Sequence, residues 1–475
     1  MPLAFAPFSA WPLAIAIPAL MIYLLGDTGS PRAAFVAGWL FGCGYFGFGV
    51  YWIYNSLHDF GMAPPMVAGG ITGLLVASLA VFPALAFFCW RYSRRRFGES
   101  SLWLLPVFWF GCEWLRGWFL TGLPWLSLGY SQVDSPLAGF APLIGVYGIG
   151  ALCMLMAVAA YRLLDARRLP MLAPLLLLPL AGWALQFIDW TVERSEPLEV
   201  TLVQGNIPQE VKWRGDQRQN IFNTYWRETS RHWDSDLIVW PETALPGNSE
   251  EIEASLLQPM QSAAIENHSA ILSGLVVADG QNGRYYNSVM LIGEQRAVYH
   301  KRHLVLFGEY YPLRWLLDLL SGLISIPYSD LTPGPADQPP LRLGDTTVGV
   351  SICFEDVFSR EILRALPQAG ILVNVTNDAW FGDSSAPHQH LQIARMRALE
   401  TGRVMLRAAN TGVSAIIDQQ GEVIARSRQF VTESISGQVY ARAGTTPFYF
   451  FGRIQWLLAL TAFLPLMVAL RRKPA

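Results

Sequence analysis

Lysine is nearly missing from this chain. Of 34 Lys and Arg residues, only Lys212, Lys301 and Lys473 are lysine. Cysteine is almost as scarce, with five residues. Cys43, Cys89, Cys112 and Cys153 lie in long apolar segments, and only Cys353 lies outside them. A thiol with no partner in its own block favours a reactive role over a disulfide. Charge is low, at 15% of residues with a formal net of −2, and there is no basic block. A nucleic-acid partner is therefore excluded. There is no repeat of the 20–50-residue kind, no P-loop and no dinucleotide glycine fingerprint. The best metal candidate is His388-Gln389-His390. Its i,i+2 spacing, without an acidic pair or cysteine cluster, argues against a metal site. No metal or cofactor is expected.

What is abundant is apolar sequence: 52% of residues are hydrophobic and the mean hydropathy is +0.30. A bilayer span needs about 20 apolar residues. Candidate spans lie near residues 11–26, 33–57, 66–90, 102–121, 137–163, 171–188 and 450–470. The first is short and the fourth carries polar residues. Glu113 and Arg116 share a helix face inside the fourth, either as a mutual brace or as a headgroup site. The expected organisation is a transmembrane bundle over 1–192 with about six spans, a globular domain over 195–446, and a final helix with a basic tail over 448–475. Arginine clusters at Arg91–Arg96 and Arg162–Arg168, and the tail Arg471-Arg472-Lys473, all fall on one face when crossings are counted. The positive-inside rule assigns that face to the cytoplasm and the globular block to the opposite side. In a bacterium that side is the periplasm. The same count starts the chain outside, although Met1–Pro7 has no positive flank; either it truly starts there or an upstream span precedes it.

The globular block mixes β-rich runs with helix-length amphipathic stretches. Strands are predicted at 200–204, 237–240, 270–277, 288–292, 347–353, 371–376, 404–409 and 414–418. Helices are predicted at 217–233, 250–267, 359–366 and 388–401. That alternation implies a layered α/β domain. Three strand ends carry polar residues: Trp240-Pro241-Glu242-Thr243, His300-Lys301 through Gly308-Glu309-Tyr310, and Cys353-Phe354-Glu355. Each by itself reads as a solvated cap. Together they supply a carboxylate, an amine and a thiol, the parts that acyl transfer needs. Lys301 is either a survivor of codon bias or a position that needs a compact, titratable amine.

These motifs, with Asn377-Asp378-Ala379-Trp380-Phe381-Gly382, resemble the nitrilase superfamily. The resemblance implies a Glu-Lys-Cys triad on an αββα sandwich, here joined to a polytopic α-helical transmembrane bundle. The membrane half narrows it. Thr121-Gly122-Leu123-Pro124-Trp125, Gly129-Tyr130-Ser131-Gln132, Val203–Gln209 and Ala394–Glu400 resemble the apolipoprotein N-acyltransferase family. The likeness runs from about residue 3 to the C-terminus. It implies Glu242 as general base, Lys301 as oxyanion stabiliser and Cys353 as nucleophile, with Glu309 and Glu355 in support. It also implies Trp213 on a mobile loop near the site, with Trp213, Trp315, Leu316 and Asn377 as substrate-binding or lid residues. The implied donor is a phospholipid, the implied acceptor a diacylglyceryl-lipoprotein, and the implied place the bacterial inner membrane, with a covalent thioester on Cys353. The family usually has eight spans, so this chain begins where the first would end. Phe354 stands where some members carry Tyr. The apolar stretch 311–324, with Trp315 and Leu316, is too short to span. It reads as an arm on the bilayer surface or as a core helix of the sandwich. A membrane-anchored amidase or nitrilase that ends with water shares the same triad. A transporter or sensor would show repeated or discontinuous spans.

Overall fold

The computed structural model describes residues 1–26, 29–166, 169–194, 196–280, 282–306, 308–310 and 331–470. The arm at 311–324, with Trp315 and Leu316, therefore lies outside the described residues, as do Arg167, Arg168 and the basic tail.

The chain divides into two compact units. The first comprises Met1–Tyr54, Pro65–Asp189 and Thr446–Ala475. It is helical, and among the described residues three runs are long and apolar enough to cross a membrane: Pro65–Arg116, Pro136–Asp165 and Phe448–Leu470. A bent pair, Pro31–Gly49 with Trp52–Phe60, makes a possible fourth span, whereas Leu13–Leu25 and Leu169–Leu185 are apolar but shorter. Leu172–Leu185 leaves Leu176, Leu177 and Leu180 each more than half exposed. Such an outward face is stable only where the surrounding solvent is itself apolar.

Within the helix Leu105–Arg116, the two intramembrane charges are occupied. Arg116 donates to the carbonyls of Leu123 and Trp125 and to Ser127 Oγ. Glu113 Oε1 accepts the Leu128 N–H at 2.7 Å and lies 4.0 Å from Arg116. The pair thus closes the open backbone groups of residues 123–128, which supports the brace reading of the two alternatives.

The second unit comprises Asn55–Pro64 and Trp190–Thr445. It is built on two mixed sheets. One runs in the order Glu433–Val439, Leu198–Gln204, Leu237–Val239, Ala270–Asp279, Arg284–Ile292, Arg296–His300, with Leu245–Asn248 also paired to Ala270–Asp279. The other runs Val423–Arg426, Ala415–Ile417, Met405–Ala409, Ile371–Thr376, Thr346–Ile352, Leu341–Leu343.

Period-two alternation explains how the sheets stack. Val200, Leu202, Leu237, Val239 and Leu272 share one buried cluster with Val348, Val350, Ile352, Val373 and Leu406 of the other sheet. Val203, Ile238 and Ile271 point the opposite way, onto Ile221, Phe222, Tyr225 and Met260. Those last residues belong to the helices Arg218–Thr229 and Gln258–Glu266. On the second sheet Arg407 alternates with Leu406 and Ala408, and it faces the almost wholly buried helix Ala386–Thr401 through their shared carboxylate partners. The result is the αββα sandwich that the resemblance implied.

All eight predicted strands form, within a few residues of their expected ends. The strands not anticipated are mostly sheet edges: Glu433–Val439, Arg296–His300, Val423–Arg426 and Leu341–Leu343. An edge strand is buried on less of its surface and lacks the apolar run that marks a central one.

Candidate active site

Four polar loops leave the C-terminal ends of strands and meet. Glu242 follows Leu237–Val239, Lys301 follows Arg296–His300, Cys353 follows Thr346–Ile352, and Asn377 follows Ile371–Thr376. Strand C-terminal ends are where α/β sheets commonly hold ligands. The Glu242 loop sits directly on the backbone of Gly274. A Cβ at Gly274 would lie 2.5 Å from the Pro241 carbonyl oxygen and 2.6 Å from Glu242 Cα, so only glycine fits there.

Lys301 Nζ lies 3.3 Å from Glu242 Oε1 and donates to Glu309 Oε1 at 2.9 Å. The Asn287 amide bridges the same two carboxylates, at 2.7 and 2.8 Å. Oε2 of Glu242 accepts the Asn377 N–H at 3.0 Å, and Oε2 of Glu309 accepts the Val305 N–H at 2.8 Å. Lys301 is 1% exposed. Burial by itself would lower the Lys301 pKa, but the Glu309 and Glu242 carboxylates outweigh it and hold the ammonium well above its ordinary value. The site thus keeps a fixed positive charge in a place water barely reaches.

Cys353 has φ +49°, in the left-handed region, which costs a residue with a Cβ about 1–2 kcal/mol. Asn374 Nδ2 holds its carbonyl at 3.2 Å. Burial pushes the thiol pKa up, and the Glu242 charge adds to this; Lys301 and a Thr376 hydrogen bond oppose it. The resting group is therefore the thiol, and a thiolate requires a base to take its proton.

Glu355 ties the cysteine turn to the lysine strand. Its oxygens accept the N–H groups of Ile352, Arg302 and His303 at 2.7–3.1 Å and the Tyr299 hydroxyl at 3.0 Å. Burial still raises its pKa. Phe354 packs edge-on to Phe358 at 5.1 Å. Asp356, in the turn that begins at Cys353, belongs to a buried charge network. His390 bridges Asp356 at 2.9 Å and Asp378 at 3.1 Å, and Arg407 pairs with Asp378 at 2.8 Å. Both His390 nitrogens thus face carboxylates.

Trp213 ends the short helix Gln209–Lys212 and is 52% exposed. Asn377 donates to Gln209 Oε1 at 2.8 Å and accepts from Asn410 at 3.0 Å. Ser56 Oγ donates to the Trp380 carbonyl at 2.7 Å, and the Phe60 ring meets Trp380 edge-on at 6.0 Å, so Asn55–Pro64 packs against the loop that follows Asn377. Sequence reasoning had passed over Asn287, Tyr299 and the position of Lys212. Asn287 had a visible signal, an amide inside the strand Arg284–Ile292. Tyr299 had none beyond its place in a strand.

Two stacked mixed sheets carrying this charge cluster define a carbon–nitrogen hydrolase type of domain, and residues 199–447 match the carbon-nitrogen hydrolase family. Residues 1–159 match the apolipoprotein N-acyltransferase N-terminal domain. The chain is 42% identical over 462 residues to the apolipoprotein N-acyltransferase of Methylococcus capsulatus, covering 95% of this chain and 90% of that protein. It is 43% identical over 453 residues to that of Nitrosomonas europaea, covering 94% and 90%. The chain belongs to the apolipoprotein N-acyltransferase family. Among solved structures, the nitrilase-superfamily protein Nit3 of Saccharomyces cerevisiae aligns with a TM-score of 0.39 at 17% identity, over 52% of this chain and 91% of that one.

Proposed function

We propose that this enzyme transfers a fatty acyl group from a phospholipid to the α-amine of the N-terminal diacylglyceryl-cysteine of lipoproteins, through a thioester on Cys353. The supporting observation is the Glu242–Lys301–Glu309 cluster, set beside a strained cysteine turn in a chain that also carries membrane-length apolar helices. In this reading Glu242 takes the Cys353 proton and the thiolate attacks the donor ester carbonyl. Lys301 stabilises the tetrahedral oxyanion. The lysophospholipid alkoxide leaves with the proton from Glu242. The acceptor amine then attacks the thioester and gives a proton to Glu242, which returns it to the departing sulfur. The enzyme ends as it began. Glu309 and Asn287 keep Lys301 and Glu242 in register, and Glu355 sets the cysteine turn. Trp213, Trp315 and Leu316 are assigned to the lipid chains, and Asn377 to holding the base. The catalytic unit is assigned to the periplasmic face of the bacterial inner membrane.

Intact-mass measurement of purified protein exposed to phospholipid tests this. A fatty-acyl adduct should appear on Cys353 and should move to a diacylglyceryl-lipopeptide when that is added. Release of free fatty acid with no acylated peptide would overturn the transfer and favour a hydrolase.

A further inference from the structure

Lys212 is a cation for which the mechanism above has no use. It is 1% exposed, although Glu210, Trp213 and Arg214 around it are exposed. Its Nζ donates to the main-chain carbonyl of Glu242 at 3.0 Å. The other charges on its own segment are turned to solvent, where Arg214 pairs with Asp216 at 2.9 Å. The titratable groups that face Lys212 are Glu242, which follows the Leu237–Val239 strand, and Cys353, which follows Thr346–Ile352.

A buried set of charges is costly unless it is balanced. Glu242 and Glu309 share one ammonium, Lys301, so that cluster is one negative charge in excess. The other buried acids nearby have partners of their own. Glu355 is closed by three N–H groups and a hydroxyl. Asp378 and Asp356 face Arg407 and His390. Among the described residues, Lys212 is the remaining cation against Glu242.

We propose that Lys212 is a positioning residue whose charge completes the electrical balance of the catalytic cluster and keeps Glu242 deprotonated, and so able to act as base. With Lys212 charged, the cluster is neutral both before and after the Cys353 proton moves to Glu242. Without that charge, the cheapest way to balance the site is to protonate Glu242, which removes the base. Burial lowers the Lys212 pKa to about 8, while Glu242 and Cys353 oppose the shift, so the group is charged at neutral pH. The hydrogen bond to the Glu242 peptide also links the base to the helix that bears exposed Trp213.

The inference rests on Glu242 as base and Cys353 as nucleophile. Its test is the pH dependence of acyl-adduct formation on Cys353, measured by intact mass with phospholipid vesicles. Lys212→Gln keeps a donor for the Glu242 carbonyl but carries no charge. Its acid limb should move up by about one pH unit, the low end of what losing a nearby opposite charge does to a carboxylate. Below the limb the rate should fall about tenfold and recover at higher pH. Lys212→Arg should keep the wild-type acid limb. An unmoved acid limb in Lys212→Gln, or an equal shift in Lys212→Arg, overturns the charge role. Should the glutamine variant not fold, Lys212→Met carries the same test: its acid limb should move up by a similar amount, and an unmoved limb overturns the inference. An adduct that still forms in Cys353→Ala would instead overturn the proposed function, and this inference with it.

Discussion

The main-chain N–H of Asn377 donates to Oε2 of Glu242 across 3.0 Å. The two residues lie 135 positions apart and on different sheets of the sandwich. The proposed base is therefore held by the packing of one sheet on the other, as well as by its own loop. Its second oxygen is taken by Lys301 and Asn287. A carboxylate fixed at both oxygens has one position from which to accept a proton.

Replacing Lys301 should cost rate, and stability as well, because Glu242 and Glu309 lose the buried cation they share. Lys301→Met should lower acyl transfer about 10²–10³-fold, the usual cost of an oxyanion donor. Lys301→Arg should fail similarly, because a planar fork does not fit where Glu242 and Glu309 converge on one nitrogen. Single-turnover acylation rates check both. Retention of wild-type rate by Lys301→Arg would remove the point-charge argument.

Asn287 should behave as a residue that acts through others. Asn287→Leu removes the amide that bridges Glu242 and Glu309 while keeping the side-chain size. Misplacing a reacting group by about 1 Å costs on the order of 10²-fold in rate, and that loss should appear in kcat with little change in KM. A loss confined to KM would instead point to substrate contact.

Glu355 should matter for stability first. Glu355→Ala leaves the N–H groups of Ile352, Arg302 and His303 without their acceptor. One buried unsatisfied donor costs about 1–3 kcal/mol, so a clear drop in the thermal midpoint is expected. Tyr299→Phe removes one of the carboxylate's donors and should cost less, about 1 kcal/mol. Equal effects of the two changes would contradict this account.

The His390 network should give stability a defined pH window. Burial and the Arg407 charge lower the His390 pKa, but Asp356 and Asp378 outweigh them and raise it above its ordinary value. Its contribution is complete below about pH 6.5 and declines as pH rises through the folded-state pKa. For Asp378 burial raises the pKa, yet Arg407 and His390 prevail and depress it. Its contribution is present above about pH 3.9 and is lost as pH falls toward the folded-state value. The two therefore overlap most fully between about pH 4 and 6.5. Thermal midpoints across pH should show His390→Gln losing most stability in that window. A loss that is uniform with pH would mean the histidine acts through packing.

Orientation is open to a direct check. Reporter fusions after Thr445 should be active only with a periplasmic reporter. An active cytoplasmic reporter there would reverse the assignment drawn from the arginine clusters.

The sequence by itself determined the local features. Apolar runs of bilayer length mark the membrane half, because a hydrocarbon solvent tolerates little else. Period-two apolar strands mark the sandwich, since one face of each sheet must bury against the other. Glu242 and Cys353 stood out because polar residues follow directly on apolar strands, and Lys301 because lysine is so scarce in this chain. Tertiary structure decided what no local pattern can carry. Asn287 becomes a bridge only once two carboxylates from distant loops arrive beside it. Lys212 looks like any lysine of a polar helix until the Glu242 peptide closes over it. The edge strands 296–300 and 433–439 depend on a neighbour's hydrogen-bonding edge more than on apolar content of their own. For Asn287, Lys212 and the strand 433–439 the deciding energy is a contact between residues tens to hundreds of positions apart. Such a contact leaves no periodic trace in the chain that makes it.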